Sequence, residues 1–106
     1  MFDYAAHLRR QRDWSERTFG PGERVAGVTA HIEKECAEVR AEDDRHKRLE
    51  EWIDIQTLAL DGAWRDGFSP EEIIAMIQYK QFKNEHRKWP DWRTVAKGQP
   101  IEHIED

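Results

Sequence analysis

Residues 23–66 read ERVAGVTAHIEKECAEVRAEDDRHKRLEEWIDIQTLALDGAWRD, and the fold is decided by how apolar residues recur in them. At about 100° per residue, Val25, Val28, Ile32 and Val39 form one stripe of a helix spanning about 23–41. Leu49, Trp52, Ile53, Ile55, Ala59, Leu60, Ala63 and Trp64 cover about half the circumference of the next, from about His46 to Asp66. The charged turn Glu42-Asp43-Asp44-Arg45 separates them. Nowhere does a β-branched alternating run suggest a strand.

Working outward, Gly20-Pro21-Gly22 ends a first helix of about residues 3–18. On the other side Gly67 suits the residue after a helix end. Ser69 reads as an N-cap, with Pro70 in the first helical position and Glu72 completing a capping box. This fourth helix should end near Trp89, before Pro90, leaving residues 90–106 as an irregular tail packed through Trp92. The expectation is an all-α bundle of about four helices in a single domain of 106 residues. A chain this short buries only about two-thirds of its unfolded surface, and the second and third helices with Trp52, Trp64, Trp89 and Trp92 carry much apolar area. A homodimer or homotetramer is therefore expected.

Composition narrows the classes of function. With mean hydropathy of -0.98 and no long apolar run, a membrane partner is not expected. The opening MFDYAAHLRRQRDW lacks the apolar segment of a secretory signal, and one cysteine, Cys36, makes no disulfide framework or multi-cysteine zinc site. A bacterial cytoplasm, or that of a host if the chain is phage-encoded, is the expected location. A net charge of -5 argues against nucleic acid as the main partner. His31, His46 and His103 have no metal-ligand spacing to one another, and Trp52 and Trp64 read as core.

The signal for chemistry is polar groups where a core should be. Glu35 falls mid-stripe, between Ile32 and Val39, with Glu38 and His31 on its shoulder. A carboxylate there is costly unless it is paired or binds a cation. On the third helix Glu51, Asp54, Leu58, Asp61 and Arg65 share the other face, which is either solvated or a site. In the fourth helix Ile73, Met76 and Ile77 define a stripe that Lys80, Asn84 and Arg87 continue. Glu35/Glu38 and Glu51/Asp54 are acidic pairs three residues apart, each on one helix face. If the two helices are antiparallel neighbours, four carboxylates meet and need a counter-charge. Hard divalent cations suit them, Mg²⁺ above all where phosphate is the substrate. Lys80, Asn84 and Arg87 would supply donors for polyphosphate oxygens the metal does not hold. A di-iron carboxylate bundle drops out, because no glutamate has a histidine three residues later.

E-x-x-E, twelve intervening residues and E-x-x-D resembles the signature of the all-α nucleoside triphosphate pyrophosphohydrolases of the MazG type. The longer stretches RDWSERTFGPGERVAGVTAHIEKECAEV, LALDGAWR and RKWPDWR, with the terminal I-E-H, resemble its dATP/dGTP diphosphohydrolase branch, found in bacteriophages and bacteria and including the MazZ-like phage members. The resemblance implies an oligomeric enzyme that cleaves purine deoxynucleoside triphosphates (dATP, dGTP) to monophosphate and pyrophosphate. It implies Glu35, Glu38, Glu51 and Asp54 as ligands of Mg²⁺, for which Mn²⁺ may substitute, and Lys80, Asn84 and Arg87 as phosphate contacts. Residues 42–47 depart from the shorter, Pro-containing turn expected there.

The reaction expected is in-line attack of water on the α-phosphorus. Glu38, on the stripe shoulder, is the choice for general base. Asp61 is a candidate substrate-side residue, a further ligand or an orienting group for Lys80 or Arg65, with a structural role as the alternative. Trp14 and Phe19, beside the Gly-Pro-Gly break, are placed to reach a base or to pack at a subunit interface. The rival readings are a relative that takes pyrimidine substrates and a non-catalytic helical interaction domain.

Overall fold

Asp3, Asp44 and Ser69 start three helices by accepting from backbone N–H groups that the first turn leaves unpaired. In the computed structural model, which describes residues 1–105, α1 is Tyr4–Phe19, α2 Val25–Ala41, α3 Arg45–Arg65 and α4 Pro70–Glu85. A short 3-10 turn follows at Trp92–Thr94, and no strand occurs among the described residues. The protein is an all-α bundle. Ser69 and Glu72 form the expected capping box, each backbone N–H bonded to the other's side chain at 3.1 Å. Gly67 takes the positive φ of 98° expected just after a helix end.

Residues 1–74 form one compact unit and residues from Ala75 onward a second, with α4 running from one into the other. Within the first, α2 and α3 make an antiparallel hairpin. Its register brings Val28 against Gly62, where an added Cβ would lie 3.7 Å from Val28 Cγ1, and Glu38 beside Glu51. Asp44 caps α3, while Arg48 reaches back to the carbonyls of Glu42 and Asp43 at 3.2 and 3.3 Å. The charged turn thus holds the hairpin without a proline. Leu8, fully buried, packs with Trp64 and Ile73, and Tyr4, Leu60, Ala63 and Ile74 close around them.

Three expectations are corrected here. Leu49, Trp52 and Ile53 are not core: Trp52 is 54% exposed, because α2 lies against the carboxylate face of α3 and leaves the apolar face of its first half bare. The opposite face is not solvated at its C-terminal end, where Asp61 and Arg65 are buried. In the second unit, Trp92 is 72% exposed and does not anchor the tail. Trp89 does so, donating its indole N–H to the Asn84 carbonyl at 2.6 Å, with the Ile104 N–H on the Lys88 carbonyl at 2.8 Å.

Candidate active site

Because α2 and α3 run antiparallel, three of the four expected metal-ligating residues converge: Glu35, Glu38 and Glu51 each place a carboxylate oxygen within 4.8 Å of the others. Glu35 is 6% exposed, and Glu38 and Glu51 are half-buried. One oxygen of Glu35 lies 3.2 Å from His31 Nε2. The remaining Oε2 atoms of Glu35 and Glu51 are buried with no partner outside the cluster. Asp54, the fourth residue, lies one turn along α3 from Glu51, exposed and outside this close cluster.

Crowded carboxylates compete for protons. Hydrogen bonding to Glu35 and Glu38, with burial, pushes the Glu51 carboxyl up to about 7. The same contacts, from Glu51 first and then Glu35, hold Glu38 below the usual carboxylate range. Orphaned buried oxygens in an all-oxygen donor set of this charge fit a hard divalent cation.

A consequence follows for pH. A carboxyl that binds its proton more tightly folded than unfolded stabilises the metal-free protein at low pH and loses that contribution as pH rises from 4.5 through about 7. The lowered Glu38 acts in the opposite sense, below 4.5. Thermal melts in chelator should therefore fall between about pH 5 and pH 8, and Glu51→Gln should flatten that slope. A slope unchanged in Glu51→Gln would contradict the shared proton.

Beyond the carboxylates, Asp61 and Arg65 form a buried network that the sequence did not disclose. Asp61 Oδ1 accepts from Ser15 Oγ at 2.5 Å and Trp64 Nε1 at 2.9 Å, and Oδ2 accepts from Arg65 Nε at 2.7 Å. The Arg65 side chain, 1% exposed, also donates to the carbonyls of Gly20 and Gly22 at 2.8 and 3.1 Å, and to Ser15 Oγ at 3.0 Å. Gly20 and Gly22 have φ of 88° and 96°, which lets the break turn both carbonyls to one guanidinium. Both Asp61 oxygens are thus engaged by protein donors, Arg65 among them. Arg65 recurs at i+4 from Asp61, which was visible; that Ser15 and two glycine carbonyls would meet it 43 to 50 residues away was not.

Between this network and the carboxylates lies a cavity of about 330 Å³. Trp14, Phe19, Val28, Leu58 and Trp64 give it apolar walls, and Trp14 and Phe19 meet edge-on at 5.4 Å. His31 and Asp54 border both the cavity and the carboxylate cluster. Its size falls in the roughly 300–1,000 Å³ range of small-molecule pockets.

Lys80, Asn84 and Arg87 belong to the second unit. Lys80 is exposed, while Asn84 and Arg87 are half-buried, with Arg87 Nη1 on Asn84 Oδ1 at 3.3 Å. The helix ends at Glu85, so the expected i, i+4, i+7 line is helical only as far as Asn84. Arg87 is placed by the turn that follows, in which the Asn84 carbonyl bonds to the Trp89 indole. Met76 and Ile77 are exposed, so the stripe these residues continue is buried only at Ile73.

A family model described as dATP/dGTP pyrophosphohydrolase matches residues 7–106. The chain belongs to that family. It is a nucleoside triphosphate pyrophosphohydrolase, and the acidic cluster is the part of it equipped to hold a divalent metal. No curated relative and no solved structure matches the chain. No helix among the described residues is long and apolar enough to cross a membrane.

Proposed function

We propose that the chain hydrolyses dATP and dGTP to the monophosphate and pyrophosphate with Mg²⁺ as cofactor, Mn²⁺ substituting. The observation that carries this reading is the pair of buried carboxylate oxygens with no partner outside the Glu35–Glu38–Glu51 cluster, opening beside an apolar cavity within one compact unit. Glu35, Glu38, Glu51 and Asp54 hold the metal. When bound, the metal offsets phosphate charge and makes water a better nucleophile near neutral pH. The base lies in the cavity against Trp14 and Phe19, and Asp61 shapes its wall through Trp64 and Arg65. Lys80, Asn84 and Arg87 grip phosphate oxygens.

Water attacks the α-phosphorus in line. A new P–O bond forms, the bridging bond to the β-phosphate breaks, and pyrophosphate leaves with the electron pair. Glu38 accepts the proton of the attacking water at a carboxylate oxygen. Hydrolysis in ¹⁸O-water tests the step. Label in the monophosphate supports attack at the α-phosphorus, and label in pyrophosphate contradicts it.

The grip of the fourth helix is testable separately. Lys80→Ala and Arg87→Ala should each weaken substrate binding or turnover by about 1.5–3 kcal/mol, the scale of a hydrogen bond to a charged group. If the cations only offset the helix dipole, the change is about 0.3–1 kcal/mol in stability and none in binding. Thermal shift with and without a slowly hydrolysed dGTP analogue distinguishes the two. An unchanged ligand-induced shift in both variants would take these residues out of the site.

The working unit is a homodimer or homotetramer located in the cytoplasm, with no nucleic acid or membrane partner. The bare stripe of Leu49, Trp52 and Ile53 supports self-association. A fully active monomer in sedimentation at micromolar concentration would contradict it.

A further inference from the structure

The polar side chains lining the cavity divide into those already engaged and those free to bind. Ser15 and Trp64 donate to Asp61, Arg65 donates to Asp61 and Ser15, and His31 lies 3.2 Å from a Glu35 oxygen. Asp54, exposed and just outside the close cluster, is assigned to the metal. Gln11 on α1, Arg24 at the N-cap of α2 and Thr57 on α3 remain, with no side-chain hydrogen bond or ion pair among the described residues. Arg24 caps α2 through its backbone alone, and its guanidinium folds over the first turn of the helix at Gly27. A Cβ at Gly27 would lie 3.3 Å from Arg24 Nη2, tighter than most real contacts, so the guanidinium would have to shift by a few tenths of an ångström.

The chemistry of these two groups differs in a useful way. A guanidinium is a rigid fork of donors that matches two acceptors side by side. A carboxamide offers one donor and one acceptor side by side. Guanine presents two acceptors, N7 and O6, whereas adenine presents the acceptor N7 beside the donor N6 amino group. Arginine suits the first edge and glutamine the second.

We infer that the cavity reads its two purines through different side chains, Arg24 on the O6/N7 edge of guanine and Gln11 on the N6/N7 edge of adenine, with Gly27 leaving the space in which the guanidinium lies. This rests on the reading that the base occupies the cavity. Neither purine needs the side chain that serves the other, so one pocket accepts both. A pyrimidine offers no N7 to either.

Kinetics of the full chain with Mg²⁺ and each of dGTP, dATP, dCTP and dTTP test the inference. Arg24→Ala should lower kcat/KM for dGTP about 10- to 100-fold, the size of one bidentate base contact, and leave dATP within about threefold. Gln11→Ala should do the reverse. Gly27→Ala adds a separate readout: alanine favours the helix and should hold or raise the melting temperature, yet its Cβ displaces the guanidinium and should cost dGTP severalfold with dATP unchanged. A merely structural role would not pair a more stable protein with a loss confined to one purine.

Leu58→Trp and Thr57→Phe, checked by melting for a native fold, fill the cavity and separate the two levels of the reading. If a folded cavity-filled variant turns over both purines normally, the base binds elsewhere and the underlying reading fails. If the filled variants lose both purines but Arg24→Ala and Gln11→Ala depress all four nucleotides alike, the two residues act on the phosphates and the inference is overturned.

Discussion

Glu35→Gln should lose at least about 100-fold in turnover while its helix content stays that of the wild type. Glutamine nearly matches glutamate in shape and helix propensity, so α2 has no reason to change. What it removes is one negative charge from a cluster in which two buried carboxylate oxygens have no protein partner outside it. Even groups that only orient a metal ligand cost about 10- to 100-fold when removed, and a ligand should cost at least the upper end of that range. The metal-free variant should melt no lower than the wild type, because like charges 4.8 Å or less apart oppose folding. Added Mg²⁺ should raise the melting temperature of the wild type and not that of the variant. Full turnover by Glu35→Gln in chelator would end the metal reading.

The second large effect is on stability. Arg65→Met leaves Asp61 buried and charged, its Oδ2 stripped of a partner at 2.7 Å, and frees the Gly20 and Gly22 carbonyls. Breaking a buried pair by removing one partner costs about 3–5 kcal/mol. Against a total of about 5–15 kcal/mol for a domain, that is a large share. At about 4–8 °C per kcal/mol for a chain of this size, melting should fall by about 12–40 °C. Adding Asp61→Leu to Arg65→Met should recover part of the loss, because the unpaired charge goes with it. Urea unfolding of both variants is the check, and a loss under about 1 kcal/mol for Arg65→Met would contradict the buried staple.

Periodicity made the four helices legible, and capping chemistry at Ser69-Pro70-Glu71-Glu72 placed the start of α4 to the residue. Glu35 was legible as a site residue for the same reason: an anion in an apolar stripe is an anomaly that a wheel exposes. The burial of Asp61 and Arg65 was not legible, because a charged pair spaced by four looks alike whether its face meets water or another helix. Only the tertiary position of Ser15 decides that, and no local pattern encodes it. Trp52 failed in the converse way. Its stripe is apolar, but α3 has more apolar circumference than one partner helix covers. The end of α4 was missed because Asn84, Glu85 and His86 are acceptable in helices, and the stop comes from Trp89 taking the Asn84 carbonyl.

In the proposed reaction the Glu35–Glu38–Glu51 cluster and the adjoining cavity serve to split purine deoxynucleoside triphosphates between the α- and β-phosphates. A panel of all common NTPs and dNTPs with Mg²⁺, with monophosphate and pyrophosphate quantified separately, addresses it most directly. Equal amounts of monophosphate and pyrophosphate should form from dATP and dGTP, little from pyrimidine nucleotides and none in chelator. Release of orthophosphate with the diphosphate, or turnover of pyrimidine nucleotides at the purine rate, would contradict it.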